Sequence, residues 1–436
     1  MQTFEDLLEG KLAGSQKLKL SCGLTDFPRQ ILDLAETLEL LDLSGNKLSD
    51  LPENFSKLKK LKILFLSDNE FTTFPAVLAD CENLEMIGFK ANKIAFLPEN
   101  ALPIKVRWLI LTNNQIPALP KSIGKCLNLQ KVMFAGNNLN KLPDEMSACR
   151  NIELLRISAN QIEKLPDWLL KLPKLSWLAF AGNPFCKKPA TKNELQEVDW
   201  NELVLGEKLG EGASGIISKA KWQKSGSNKD VAVKVFKGEV TSDGLPEDEM
   251  AACITAGEHL NLVHVIGKLK NHPLQKKGLI FSLIPPGYRN LGGTPSFESC
   301  TRDVFEKEDS FSIVQIIKIL AGVASVAVQI HQKGISHGDL YAHNILIDEN
   351  ANPLFGDFGA GAFYDKSDSI TAEYIEKIEV RAFGCLMEDL LGLVRMEDKS
   401  LTEYKILSEL QLECFLENVL QRPLFNKIYS SITKLL

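Results

Sequence analysis

An aspartate, an asparagine and a second aspartate stand at positions 339, 344 and 357, five and then thirteen residues apart. One carboxylate that accepts or orients a hydroxyl, with an amide oxygen and a second carboxylate holding magnesium ions on phosphates, is a donor set for metal-assisted phosphoryl transfer. The three lie in two short motifs, His337-Gly338-Asp339-Leu340-Tyr341-Ala342-His343-Asn344 and Gly356-Asp357-Phe358-Gly359. Upstream, Lys234 interrupts the apolar run Val231-Ala232-Val233-Lys234-Val235-Phe236. A lysine in such a strand needs a phosphate or an acid as its partner. The acid is expected from the helical stretch 246–258, which opens on proline and acids as helix N-termini do. Of Glu247, Glu249 and Glu258, Glu249 is the choice, by its distance from the segment 259–263 that follows. Nineteen residues before Lys234 ends the run Leu209-Gly210-Glu211-Gly212-Ala213-Ser214-Gly215, followed by Ile216-Ile217. A second strand-like run, not a helix, comes next, which favours a glycine-rich hairpin whose backbone N–H groups approach anionic oxygens.

Taken in order, these motifs resemble a eukaryotic-type protein kinase domain over about 203–436. The resemblance implies an α+β bilobal fold: a small lobe of mostly antiparallel strands with one helix, a larger helical lobe, and ATP in the cleft between. It implies that Lys234 holds the α- and β-phosphates and pairs with Glu249. Asp339 is then the catalytic base, and Asn344 and Asp357 are the Mg2+ ligands. Leu209, Gly210, Glu211, Gly212, Ala213, Ser214, Gly215, Ile217 and Ala232 would line the ATP site. Phe281 looks like the gatekeeper, and Ser282 to Ile284 like the hinge that bonds adenine. Glu379 with Phe383-Gly384 resembles the start of the kinase F-helix, where Asp is usual. Arg422-Pro423-Leu424-Phe425 resembles the late Arg-Pro-x-Phe element.

The pattern has departures. Gly338 stands where many kinases carry Arg, the usual partner of a loop phosphate, which predicts activity without loop phosphorylation. The loop at 360–371 is short, and Ser367, Ser369 and Thr371 are phosphorylation candidates not required for turnover. Tyr341 replaces the lysine usual in serine/threonine kinases, and His343 stands where tyrosine kinases often have Arg. A protonated His343 would supply part of the missing charge. A serine/threonine acceptor is expected on the breadth of that class. His-Gly-Asp also occurs in aminoglycoside kinases, so a small-molecule kinase is the rival enzyme. A non-catalytic ATP-binding scaffold is the third reading.

The first half carries a period. Asn46, Asn69, Asn92, Asn114, Asn137, Asn160 and Asn183 recur at 22 or 23 residues, and the first six are each followed by proline at an offset of six. A fixed apolar frame accompanies them, as in Leu61, Leu64, Leu66, Asn69, Phe71, Phe74 and Pro75. This matches the leucine-rich-repeat pattern and predicts an α/β solenoid of seven or eight repeats over 18–198. An imperfect first repeat falls at Leu18, Leu20, Leu24, Phe27 and Pro28, and 1–17 is expected to cap the open end. The kinase-like domain would occupy 199–436. Asp42, Phe65, Gly88, Ile110, Met133, Arg156 and Ala179 fall between the strand leucines, on the expected concave face. There a protein substrate or ligand is expected to bind, with Asp42, Phe65, Ile110, Met133 and Arg156 as candidates.

Composition sets the frame. The chain has 436 residues, 44% of them hydrophobic and 24% charged, with a net charge of -6. No long basic block appears, which argues against nucleic acid as the partner. No secretory signal is read at the N-terminus. The apolar stretch 313–330 contains Gln315, Lys318 and Gln329 and reads as a buried helix, not a membrane span. The nine cysteines are odd in number and lack a CxxC pair, as reduced thiols in a cytoplasm would be.

Overall fold

The structure is a computed structural model that describes residues 2–186, 195–212, 214–224, 227–238, 240–241 and 243–436. The chain divides into two compact units. The first is Met1–Leu172 with Asn183–Phe185, and the second is Pro173–Gly182 with Cys186–Leu436.

In the first unit, seven three-residue strands pair in parallel and in register: β1 (Lys17–Lys19), β2 (Leu40–Asp42), β3 (Ile63–Phe65), β4 (Met86–Gly88), β5 (Trp108–Ile110), β6 (Lys131–Met133) and β7 (Leu154–Arg156). The middle residue of each strand points inward and is buried, as the two-residue period of a strand requires. The repeating asparagines hold successive turns together. Asn114 Oδ1 accepts from the Ile94 N–H at 2.9 Å. Its Nδ2 donates to the Phe89 carbonyl at 2.9 Å and to the Leu111 carbonyl at 3.0 Å. Asn46, Asn69, Asn137 and Asn160 do the same one repeat apart. A buried turn needs such bonds, because its peptide groups have no water. Pro28, Pro75, Pro120, Pro143 and Pro166 each precede a helical turn on the return side, where their fixed φ suits the entry. Helix α1 (Phe4–Leu8) opens the unit with a Thr3–Asp6 capping box, and the short α2 (Asp167–Leu170) lies near its end.

The second unit starts with strand β8 (Trp177–Ala179). Its small lobe is a six-stranded sheet in the order β10-β11-β12-β14-β13-β9. The strands are β9 (Gln196–Asp199), β10 (Leu203–Glu211), β11 (Gly215–Lys224), β12 (Ser227–Phe236), β13 (Val265–Lys270) and β14 (Gly278–Ser282). All pairs are antiparallel except β9 with β13. Helix α3 (Pro246–Ala256) completes this lobe. Strand β9 lies across the 198/199 boundary expected between the solenoid and the kinase-like domain. Val198 is its one buried residue and joins Leu203, Trp222, Val231, Val233 and Ile280 in the lobe core.

The large lobe is built on α4 (Ile313–Gln332), α5 (Ser369–Gly392), α6 (Thr402–Cys414) and α7 (Phe425–Thr433). Small sheets β15-β17-β18 (Arg289–Asn290, Ile345–Ile347, Pro353–Phe355) and β16-β19 (Ile335–Ser336, Ala362–Phe363) carry the motif residues. Among the described residues α4 alone has the length and hydropathy to cross a membrane, and 67% of its apolar window is buried within the protein. A Ser312–Gln315 capping box starts it, and Leu320, Val323, Ala324 and Ala327 pack in the core.

Candidate active site

Lys234 reaches the site because β12 is a central strand, paired on one side with β11 (Ile217 opposite Lys234) and on the other with β14 (Leu279 opposite Lys234). The lysine is 8% exposed and forms an ion pair with Glu249, 2% exposed, in the first turn of α3. Pro246 at the helix start fixes that turn. Burial alone would lower the Lys234 pKa. The Glu249 and Asp357 carboxylates outweigh it and hold the lysine above its usual range.

Asp339 and Asn344 are joined in one turn. Asn344 Nδ2 donates to the Asp339 carboxylate at 2.8 Å and to the Asp339 carbonyl at 2.9 Å. These bonds use the amide nitrogen and turn the amide so that Oδ1 is the atom suited to a cation. Asp357 adopts φ +53°, the left-handed region that a non-glycine residue enters at a cost of about 1–2 kcal/mol. The Gly359 N–H bonds its carboxylate at 3.2 Å. A backbone held in such a conformation re-aims the side chain.

His337 is buried, stacks on Phe355 with ring centroids 4.1 Å apart, and bonds the Gly356 carbonyl through Nε2 at 2.9 Å. This bond ties the two motifs together. From α5, Glu379 accepts the backbone N–H of His337 at 3.1 Å and of Gly338 at 2.8 Å. Its carboxylate also meets His331 Nε2, at 2.6 Å, and accepts from Ser336 Oγ at 3.5 Å. Glu379 therefore holds the backbone immediately before Asp339, and Arg422, also buried, donates to the carbonyls of Leu416 and Lys377 behind it.

One cavity of about 260 Å³ collects most of the expected ATP and metal residues. Ile217, Ala232, Lys234, Glu249, Phe281, Ser282, Ile284, Asn344 and Asp357 all line it. Ala232 and Phe281 face each other across β12 and β14. Cys253 and Leu346, absent from the expected set, also line it, as does His343, expected only as a source of charge.

Leu209, Gly210, Glu211, Gly212, Ser214 and Gly215 form the β10–β11 hairpin but do not touch this cavity, and Asp339 is set beside it. Ala213 lies outside the described residues. In the hairpin, Glu211 is engaged by Lys237 at 2.8 Å and Lys208 at 3.2 Å. Gly215 is pressed against the β12 backbone: a Cβ there would meet Val235 O at 2.7 Å.

Sequence reasoning did not single out Asp303. It accepts from His343 Nδ1 at 2.6 Å and from the Ala342 N–H at 2.5 Å. Burial would lower the His343 pKa, but the Asp303 bond, with Asp339 and Asp357 nearby, raises it. Asp303 lies in an irregular segment with no local motif, so only the tertiary contact identifies it.

On the expected concave face, Asp42, Phe65, Ile110 and Met133 are half-buried and Gly88 is buried, while Arg156 is only 3% exposed. The Phe65 ring lies across Gly88, where a Cβ would meet it at 2.7 Å. Asp42 pairs with Lys19 at 2.9 Å, and Lys131 sits over the Trp108 ring at 4.1 Å. Ala179, also expected on this face, is buried in the second unit.

Residues 203–383 match the family model for protein tyrosine and serine/threonine kinases, and residues 23–94 match that for leucine rich repeats. The chain is similar to a probable serine/threonine-protein kinase, gdt4, of Dictyostelium discoideum, 30% identical over 168 residues, which cover 37% of this chain and 9% of that protein. It is similar to another from the same organism, kinY, 26% identical over 231 residues, covering 46% of this chain and 38% of that one. This chain thus spans well under half the length of both relatives. A solved leucine-rich-repeat protein of Leptospira interrogans aligns at 27% identity and a TM-score of 0.39, over 42% of this chain and 47% of that one.

Proposed function

We propose that this chain, with its protein kinase domain over 203–383 and its leucine rich repeats over 23–94, transfers the γ-phosphoryl group of ATP to a serine or threonine hydroxyl of a protein. The observation that carries this reading is the shared cavity, which has Lys234 and Glu249 on one side, Asn344 and Asp357 on the other, and the apolar Ile217, Ala232 and Phe281 for a flat base. In this reading Lys234 holds the α- and β-phosphates, and Glu249 keeps the ammonium in place. Asn344 Oδ1 and the Asp357 carboxylate would hold Mg2+, a fit that the hard oxygen donors support. Bound there, Mg2+ supplies neutralisation of the phosphate charge. Asp339, fixed by Asn344, accepts or orients the attacking hydroxyl. His343, held by Asp303, adds a donor at the same wall. The similarity to two serine/threonine-protein kinases of Dictyostelium discoideum supports a serine/threonine acceptor.

The repeats are proposed to bind a protein substrate or ligand on the strand face, where Ile110 and Met133 are partly accessible. Met133→Asp is expected to reduce capture of that partner and leave transfer to a generic substrate intact.

Transfer of labelled γ-phosphate to the protein itself or to an added protein, dependent on magnesium and lost in Asp339→Ala, is the expected result. ATP binding without transfer to any protein would overturn the reading in favour of a scaffold or a small-molecule kinase.

A further inference from the structure

The stretch Pro173–Gly182 has the residues of an eighth repeat, Leu175, Leu178 and Phe180, yet it belongs with the catalytic unit. Its contacts explain why. The Trp177 indole stacks on the Tyr341 ring, with centroids 4.4 Å apart and planes 5° from parallel. Trp177 Nε1 donates to the Leu340 carbonyl at 2.9 Å. Tyr341 stacks in turn on His343, at 4.9 Å and 28°. His343 lines the nucleotide cavity. Three rings thus run in a column from β8 to the cavity wall, beside the turn that carries Asp339.

Two further contacts anchor the stretch. Arg422 Nη2 donates to the Pro173 carbonyl at 2.6 Å, and Arg381 Nε to the Lys174 carbonyl at 3.1 Å. Next to the column, Gly338 has φ +69°, and a Cβ there would meet Leu178 O and Ala360 O, each at 2.8 Å. The strand backbone therefore passes so close to the turn that the residue before Asp339 has room for no side chain.

Resting on the kinase reading above, we infer that Trp177 is a positioning residue for the reaction: β8 clamps the turn 338–344 and sets Asp339 and His343 against the bound nucleotide. Stacked aromatic pairs of this geometry and the added N–H bond are enough to choose between two arrangements of a short turn. Gly338 leaves no arginine at that position to be held by a loop phosphate, and the clamp supplies the restraint from within the chain. The catalytic unit accordingly begins at Pro173 and not at the first strand of its small lobe. A displacement of about 1 Å at a reacting group costs on the order of a hundredfold in rate.

The test compares full-length wild type, Trp177→Leu and Trp177→Phe. Leucine fills space but neither stacks nor donates, whereas phenylalanine keeps the stack. For Trp177→Leu we expect kcat to fall at least tenfold with KM for ATP within twofold, and Trp177→Phe to recover most of the loss. Hydrogen exchange is read on the same proteins, with faster exchange expected at 339–344 in Trp177→Leu and unchanged exchange in β12. Unchanged kcat, or equal losses in kcat and ATP affinity that Trp177→Phe does not restore, would overturn the inference. If wild type transfers no phosphate, the kinase reading fails by itself. The clamp is then decided by exchange, and equal rates at 339–344 would overturn it. Should Trp177→Leu not fold, Tyr341→Leu breaks the column from the other side and is judged by the same two readouts.

Discussion

The backbone N–H of Gly338 donates to the buried carboxylate of Glu379 at 2.8 Å, so one side chain of α5 holds the peptide that leads into Asp339. Burial would raise the Glu379 pKa, but bonds from His331 and from the Gly338 N–H bring it below the ordinary glutamate range. A carboxyl with a lowered folded pKa contributes stability above its unfolded value, about 4.3, and loses it as pH falls through the folded value. Wild type is therefore expected to lose unfolding free energy as the pH drops below about 4.3. Glu379→Gln, which cannot accept two N–H bonds with its amide nitrogen, should cost about 1–3 kcal/mol at neutral pH and flatten that acid slope. Denaturant titrations across the acid range check this; an unchanged slope in the variant would assign the acid loss elsewhere.

Asp339→Asn and Lys234→Met should fail in different ways. Asparagine at 339 keeps an oxygen for the Asn344 bond, so folding and ATP affinity should hold while transfer falls by roughly 10²–10⁴. Methionine at 234 leaves Glu249 buried without its cation, which costs about 3–5 kcal/mol when one partner of a buried pair is removed. Calorimetric ATP titration beside thermal unfolding separates the two. Equal stability of Lys234→Met and wild type would mean that the ion pair holds α3 less firmly than its burial implies.

Ser367, Ser369 and Thr371 are exposed or half-buried and run straight into α5, whose cap is Asp368. With Gly338 in place of an arginine, a phosphate there lacks the guanidinium that would hold it. The triple alanine variant is expected to keep wild-type turnover within twofold. By contrast, Gly338→Ala meets a left-handed φ and two backbone oxygens, and should lose activity and about 1–2 kcal/mol or more of stability. A dead triple variant that remains folded would show that loop phosphorylation is required.

Asn114→Ala leaves the buried Ile94 N–H without its acceptor, while the Phe89 and Leu111 carbonyls each lose one bond and keep another, from Asn92 and Asn137. With one buried donor left unsatisfied, a loss of about 1–3 kcal/mol is expected in the first unit. Hydrogen exchange should rise at Ile94 first. Protection equal to wild type would mean that water replaces the amide.

The repeats and the residues gathered at the cavity are both legible in the sequence, for the same reason. A strand's two-residue period, an asparagine at every turn and a fixed spacing from Asp339 to Asn344 to Asp357 are local constraints, and local constraints leave a mark at fixed offsets. Lys234 could be paired with an acid on burial grounds alone, and Glu249 is the acid it meets. What spacing does not encode is contact between distant segments. Asp303 has no motif around it, yet it anchors His343 from forty residues away. Strand β9 reads as a polar connector because Val198 alone turns inward. The stretch 173–182 follows the repeat frame in its apolar residues, while its Trp177, Leu178 and Pro173 are claimed by Tyr341, Gly338 and Arg422. Period and side-chain chemistry along the chain suffice to tell which residues turn inward and which donors suit phosphate. Which segment lies over the turn before Asp339 depends on surfaces brought together by folding, not on neighbours along the chain.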